Sequence, residues 1–140
     1  MALNTQESST SRNAANDARC AQLNGGFILL YSGTQPPNAD SATTAGNVLI
    51  GKLAYANPAF QPSAAGTAIS NAIGSATPLA SGTITWARHV RSDGSTVIDD
   101  TAGTTGTNLI LNQTTFTIGI GTISASSMSI TQPGAQPGGA

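Results

Sequence analysis

Few side chains in this sequence could act as acids, bases, nucleophiles or metal ligands. His89 is the only histidine and Cys20 the only cysteine of the 140 residues. A lone histidine cannot form a His-rich zinc site, and a lone cysteine cannot close an intrachain disulfide. The remaining candidates are the carboxyl groups of Asp93, Asp99 and Asp100.

A hydrolytic triad is the one reaction machinery that these residues could in principle supply. It would combine His89 as the base with one of the many serines and with Asp93, Asp99 or Asp100. The sequence contains no Gly-x-Ser-x-Gly elbow, and His89 lies beside a predicted hairpin turn. We therefore expect His89 to be a solvated strand residue or a subunit contact, and a hydrolase site around it is kept as an alternative.

The other candidates also have simpler structural interpretations. Adjacent strand residues point to opposite faces, so Asp99 and Asp100 are expected to form a polar strand end that enters a loop over residues 101–104. Cys20 is expected to be a small buried or half-buried hydrophobe rather than a reactive thiol. The sequence thus predicts no catalytic, metal-binding or cofactor-binding residue, and it predicts that the protein is not an enzyme.

The charge content is unusually low. Only 8% of the residues are charged and the formal net charge is -1, whereas about 25% charged residues is usual. The five basic residues are scattered, which disfavours nucleic acid as a partner because phosphate binding needs clustered Lys and Arg. A surface of neutral polar side chains costs little to desolvate. It suits either a Ser/Thr-rich extracellular β domain or, as we favour, a protein packed against neighbours.

Targeting and membrane signals are not visible in the sequence. The first residues lack a basic start followed by an apolar run, so we expect no signal peptide and synthesis in a cytoplasm. No apolar stretch approaches the roughly 18 residues of a membrane span. Aromatic residues make up 4% of the chain. Tyr31 and Tyr55 are the spare candidates for an exposed sugar-stacking surface.

One helix is predicted, over residues 8–23. Ser and Thr side chains at residues 8–11 offer N-terminal caps, and Asn24, Gly25 and Gly26 end the helix. The three alanines at i, i+4 and i+7 form a narrow apolar face that we expect to pack against the sheet: Ala14, Ala18 and Ala21.

Alternating and apolar runs predict about eight short strands after the helix. A hairpin over residues 83–99 is the clearest, with a type I′ turn at Asp93 and Gly94 and Trp86 as a core anchor. The others are expected at residues 27–31, covered on both faces, and at 48–55, 67–73, 108–112, 116–123 and 126–131, with a short extended piece at 59–61. Ile69 and Ile73 are the expected buried side of their strand, and Phe116, Ile118 and Ile120 share a face.

These elements predict an all-β fold with one short N-terminal helix. An antiparallel β-sandwich fits the strand spacing, and eight strands suggest a jelly roll, although the count does not separate it from an immunoglobulin-like sandwich. We expect a flexible N-terminal arm at residues 1–10, a single β-sandwich domain at residues 11–131 and a flexible C-terminal tail at residues 132–140.

Several segments resemble small virion proteins of tailed phages. They are residues 12–18 (RNAANDA), 23–36 (LNGGFILLYSGTQP), 53–60 (LAYANPAF), 86–97 (WARHVRSDGSTV) and 116–124 (FTIGIGTIS). Within that group the chain is similar to the jelly-roll cement, or decoration, proteins of short-tailed phage capsids. The resemblance implies a homodimer that lies on the capsid exterior and clamps neighbouring major capsid protein subunits. It implies no catalytic residue.

Two other functions compete with this interpretation. One is a tail, baseplate or host-receptor-binding module of the same virion, which should show an exposed aromatic or acidic cluster. The other is the hydrolase with a site around His89.

Overall fold

The computed structural model describes residues 7–131. The nine strands follow one N-terminal helix in this order: α1 Ser9–Ala21, β1 Phe27–Tyr31, β2 Leu49–Ala54, β3 Thr67–Ile69, β4 Gly82–Thr83, β5 Trp86–Val90, β6 Thr96–Gly103, β7 Leu109–Leu111, β8 Thr115–Phe116 and β9 Ala125–Thr131. The prediction of a mostly β chain with one short N-terminal helix is confirmed. The predicted tail at residues 132–140 and most of the predicted arm lie outside the described residues.

Most of the strands belong to one curled, seven-stranded sheet. Its strand order is β2-β1-β5-β6-β7-β9-β3, and the separate pair β4-β8 completes the sandwich. All pairs are antiparallel except β6 with β7. Strand β2 lies at one edge of this sheet, and residues 74–79 cover that edge. The amides of Gly74 and Leu79 donate to the carbonyls of Ala54 and Ile50 at 2.9 and 2.7 Å.

The core lies inside this curl and is aliphatic. Alternate residues of β1 and the buried residues Ile50 and Leu53 of β2 face it, and Leu109, Ile123 and Met128 close it from the other side. Trp86 is buried as predicted, at 1% exposure. It stands opposite Tyr31 in the β1–β5 register, on the outer face of the sheet, and its ring stacks on the Tyr31 ring at 4.8 Å. No side chain of β1 is fully exposed, so the predicted cover on both faces is confirmed.

Helix α1 begins at the predicted position, but the face that packs against the rest of the fold is not the predicted one. The Ser8 side chain caps the helix by accepting from the Ser11 amide at 3.1 Å, so Ser9 and Thr10, which we assigned to the arm, are helical. The predicted alanine face is wrong, because Ala14, Ala18 and Ala21 are all exposed.

The helix docks instead through polar side chains that satisfy backbone groups. Asn13 and Asp17 accept from the amides of Gly66 and Ser63 at 2.8 Å each. Asn16, fully buried, donates to the carbonyl of Ile130 at 2.8 Å. The amides of Ser63 and Gly66 lie in a loop outside the sheet, so an amide or carboxylate oxygen gains more there than an alanine methyl would.

Two predicted strands are shorter than expected. The strand predicted over residues 67–73 ends at Ile69, and Ala68 is its buried residue while Ile69 is 53% exposed. The strand predicted over residues 116–123 ends at Phe116. Ile118 and Ile120 do not share a buried face with Phe116, because a tight turn at Ile118 and Gly119 interrupts the alternation.

The predicted hairpin between β5 and β6 is confirmed, but its turn type is not I′. The Gly94 amide donates to the carbonyl of Arg91 at 2.9 Å, and Gly94 alone takes a positive φ, of 90°. Ser92 and Asp93 are therefore the central residues of a type I turn followed by a left-handed glycine. Asp93 keeps a negative φ and accepts from the Ser95 amide and hydroxyl at 2.9 and 2.7 Å.

Candidate functional site

The residues that could do chemistry meet in a line across the centre of the sandwich. The Tyr55 hydroxyl lies 2.7 Å from His89 Nδ1, and His89 Nε2 lies 2.8 Å from Asp100 Oδ1. Burial, followed by the charge of Asp100, raises the pKa of Tyr55 far above its ordinary value. Tyr55 therefore stays protonated and donates to Nδ1, and the Nε2–H group of His89 donates to Asp100.

Tyr55, His89 and Asp100 are hydrogen-bonded in the order of a catalytic triad, but the hydroxyl and the imidazole are buried. His89 is 0% exposed and Tyr55 is 5% exposed, so the prediction that His89 is solvated is wrong. A nucleophilic hydroxyl must reach a substrate carbonyl, whereas the Tyr55 hydroxyl is enclosed in the core. The hydrogen bonds instead satisfy a histidine that the fold buries, and they tie the end of β2 to β5 and β6.

Asp100 is the member of this line nearest to solvent. Its side chain is 15% exposed, and its Oδ2 atom is buried with no hydrogen-bond partner among residues 7–131. It lines a polar cavity of about 140 Å³ between β6 and β9, together with Arg19 and Asn108. This cavity is small for a ligand site, since such sites usually span about 300–1,000 Å³.

The Asp99 side chain lies on the opposite face of the sheet from Asp100, as the alternation of side chains along a strand predicts. It forms a two-pronged ion pair with Arg88, with Nε–Oδ1 and Nη2–Oδ2 distances of 2.8 and 2.9 Å. Donating these hydrogen bonds to Asp99 raises the pKa of Arg88 above its ordinary value, against the opposing effect of burial. Arg88 also donates to the carbonyl of Ser41 at 2.7 Å, which holds the β1–β2 loop on the outer face. The predicted strand end at Asp99 and Asp100 is wrong, because β6 continues to Gly103.

A second cavity, of about 270 Å³, lies between the end of α1 and the segment after β2. Cys20, Phe60 and two prolines line it, with Asp17 and Asn24 as polar neighbours. Cys20 is 4% exposed, which confirms that it is a buried residue. Burial raises the pKa of its thiol to about 11, so the thiol is a poor nucleophile at neutral pH.

Metal-binding and membrane-spanning features are not found in the described part of the chain. Residues 7–131 hold no group of three or more His, Cys, Asp or Glu side chains that could bind a metal ion. No helix in the same range is long and apolar enough to cross a membrane.

The surface shows its clearest feature at one end of the sandwich. Leu79, Ile118 and Ile120 are 55%, 59% and 67% exposed. Their two segments are joined, since the Gly119 amide donates to the carbonyl of Pro78 at 3.0 Å and the Ile118 amide donates to Ser81 Oγ at 2.9 Å. We call these three side chains the aliphatic tip.

Free charge is scarce over the rest of the surface. Of the five basic and six acidic residues, only Asp40, Lys52 and Asp93 are exposed, and the others are half-buried or buried. Lys52 lies over the Phe27 ring, with its Nζ 4.0 Å from the ring centroid. Most of the exterior is therefore neutral and polar.

Comparisons with known proteins identify no relative, since no family model, no curated protein and no solved structure matches this chain. The fold and its residues define the class: a small, mostly β sandwich with a buried polar network and a neutral exterior.

Sequence reasoning missed three features of this arrangement. Tyr55 was considered as a surface aromatic, and it is a core residue bonded to His89. The burial of Asn16 could have been predicted from the sequence, because residues 13, 16, 17 and 20 form a helical stripe beside the alanine stripe. The exposure of Ile118 and Ile120 was signalled by the glycines at 119 and 121, which both take positive φ values.

Proposed function

We propose that this protein is a virion structural protein, a capsid cement protein that binds the outer surface of the major capsid protein shell as a dimer and stabilises it. The observation that carries the proposal is where the polar chemistry lies. The histidine and Tyr55 are enclosed in the core, and the outside is neutral, with aliphatic side chains exposed at one end. Such a surface suits binding to another protein better than turnover of a small molecule.

The interior of the domain supports a role in which it stays rigid under outward force on the shell. Two buried pairs, Arg88–Asp99 and His89–Asp100, join β5 to β6 at 2.8 Å each. Breaking the buried Arg88–Asp99 ion pair on one side costs about 3–5 kcal/mol, and losing the His89–Asp100 hydrogen bond costs about 1–3 kcal/mol, so these strands resist being pulled apart. A rigid domain placed across a subunit junction adds buried area that must be lost before the shell opens.

The neutral exterior supports repeated docking at little cost. Neutral hydroxyl and amide groups lose less hydration than ions when they are covered. A two-fold dimer presents each contact twice, and the second contact then forms at high effective concentration. Many modest contacts over a shell would add up to a large stabilisation.

The host-binding alternative has lost its aromatic candidates. Tyr55 is buried, and Tyr31 is stacked on Trp86. A sugar platform needs a free aromatic face, so we favour docking on the shell over binding of a host glycan.

Co-sedimentation tests the proposal. Purified protein is mixed with short-tailed phage capsids that have been stripped of their cement protein, and the pellet is quantified. We expect saturable binding at a fixed ratio to the major capsid protein. Capsids that keep their own cement protein are the control and should bind little. If the protein stays in the supernatant with stripped capsids at every concentration, the proposal is wrong.

A further inference from the structure

The aliphatic tip is held in a defined shape. Thr117 and Ile120 form a β-bridge on either side of the two-residue turn Ile118-Gly119. Gly119 has φ 70° and Ile118 is not among the positive-φ residues, which is the pattern of a type II turn with glycine in its second central position. The turn therefore presents Ile118 and Ile120 outward by backbone geometry.

The two chain segments that form the tip contain no charged residue. No Asp, Glu, Lys or Arg occurs between residues 53 and 87 or after residue 100, and both segments of the tip lie within these ranges. The exposed residues beside the tip along the chain are hydroxyl-bearing: Thr77, Ser81, Thr117 and Thr122. The tip is thus an apolar centre in a neutral polar rim.

We infer that the aliphatic tip, Leu79, Ile118 and Ile120, is the surface through which two copies of this chain meet around a two-fold axis. This inference assigns the contact of the dimer in the proposed function, and it can be tested without capsids. Contacts between unlike proteins commonly use complementary charges to set partner and register. The tip offers none, and charge depletion with an apolar centre is typical of homodimer interfaces.

The fit between the tip and a second copy of the tip can be judged from this structure alone. In a two-fold contact each patch meets itself. An uncharged patch meets its own copy without like-charge repulsion, and the two sets of three aliphatic side chains would share one dry centre. A stable interface covers roughly 800 Å² on each partner, so the Ser and Thr rim must be covered as well.

Sedimentation equilibrium of matched variants tests the inference. Ile120→Asp places a carboxylate in the centre of the proposed contact, and Ile118→Asp repeats the test. Ile69→Asp is the control, because Ile69 is similarly exposed, at 53%, but belongs to β3. We expect the wild type and Ile69→Asp to be dimers at micromolar concentration. Ile120→Asp and Ile118→Asp should weaken self-association by about 30-fold or more, as loss of an interface hot spot does.

Folding is monitored in the same samples by thermal melting under dilute, monomeric conditions. A wild-type monomer at high micromolar concentration, or folded Asp variants that remain dimers, would overturn the inference. Capsid co-sedimentation separates this from the proposed function. If a monomeric wild type still binds stripped capsids, and Ile120→Asp abolishes that binding, the tip contacts the shell, so the inference is wrong and the cement role stands.

Discussion

A buried imidazole with an unpartnered ring nitrogen destabilises a core, and His89 avoids this by having a partner on each ring nitrogen. Tyr55 donates to Nδ1 and Asp100 accepts from Nε2. Each partner comes from a different strand or strand end, so the hydrogen bonds form only when the sandwich has closed. Tyr55, His89 and Asp100 therefore hold one another in place within the fold.

Tyr55→Phe should lower the free energy of unfolding by about 1–3 kcal/mol, because it leaves a buried imidazole nitrogen without a donor. Tyr31→Phe is the matched control, since the Tyr31 ring stacks on Trp86 and its hydroxyl forms no hydrogen bond with residues 7–131. It should change the free energy by less than about 0.5 kcal/mol. Urea denaturation measures both. Equal effects of the two substitutions would contradict the structural role of the Tyr55 hydroxyl.

Cys20 should be nearly inert in the folded protein. Burial raises its pKa from the ordinary 9.0 to about 11, so at about pH 8 the thiolate population falls by about a hundredfold relative to the unfolded chain. Alkylation by iodoacetamide, followed by mass spectrometry, should be slower by at least that factor than in concentrated urea. Comparable rates in the two states would show that the thiol is accessible.

The same shift predicts a dependence of stability on pH. The folded protein holds the thiol proton more tightly than the unfolded chain, so this stabilisation is complete below pH 9.0 and is lost as the pH rises towards about 11. Cys20→Ala removes the titrating group. The difference in stability between wild type and variant should therefore shrink over this alkaline range, and a constant difference would contradict the pKa shift.

At the scale of the element, α1 is attached by hydrogen bonds rather than by an apolar stripe. Asn16→Ala should lower the free energy of unfolding by about 1–3 kcal/mol, because it leaves the buried carbonyl of Ile130 without its donor. Ala18→Ser, on the exposed face of the same helix, should cost less than about 0.5 kcal/mol. If the two substitutions cost the same by urea denaturation, the helix packs by its alanine face after all.

Local patterns in the sequence predict the elements better than they predict what each element faces. The alternation around Trp86 and the apolar run at Phe27–Tyr31 predict β5 and β1 because both depend on neighbouring residues. The burial of His89 depends on Tyr55, 34 residues away. No local pattern contains that information, so the residue was expected at the surface.

The exposed end of the sandwich shows a different limit of local patterns. Phe116, Ile118 and Ile120 alternate like one face of a strand, but the glycine turn at residue 119 reverses the chain and turns the two isoleucines outward.

Helix α1 shows a third limit of local patterns, because it carries both an apolar and a polar stripe that could face the sheet. The apolar stripe was favoured, whereas the backbone groups in need of partners select the polar one.

At the scale of the whole molecule, the absence of charge from the tip has a measurable consequence. Raising the NaCl concentration from about 50 to about 500 mM screens exposed charges. The dimer dissociation constant should change by less than about twofold over this range, because no ion pair lies in the proposed contact. A weakening of tenfold or more in sedimentation equilibrium would show that charged groups join the two copies.

The proposed function is stabilisation of the capsid shell. Heat-induced release of DNA from filled capsids measures this stabilisation most directly. Stripped capsids are titrated with the purified protein, and the release temperature is followed with a DNA-binding dye. We predict that the release temperature rises with occupancy and reaches a plateau at the same ratio as binding saturates. If capsids bind the protein to saturation and still release DNA at the temperature of stripped capsids, the protein is not a cement.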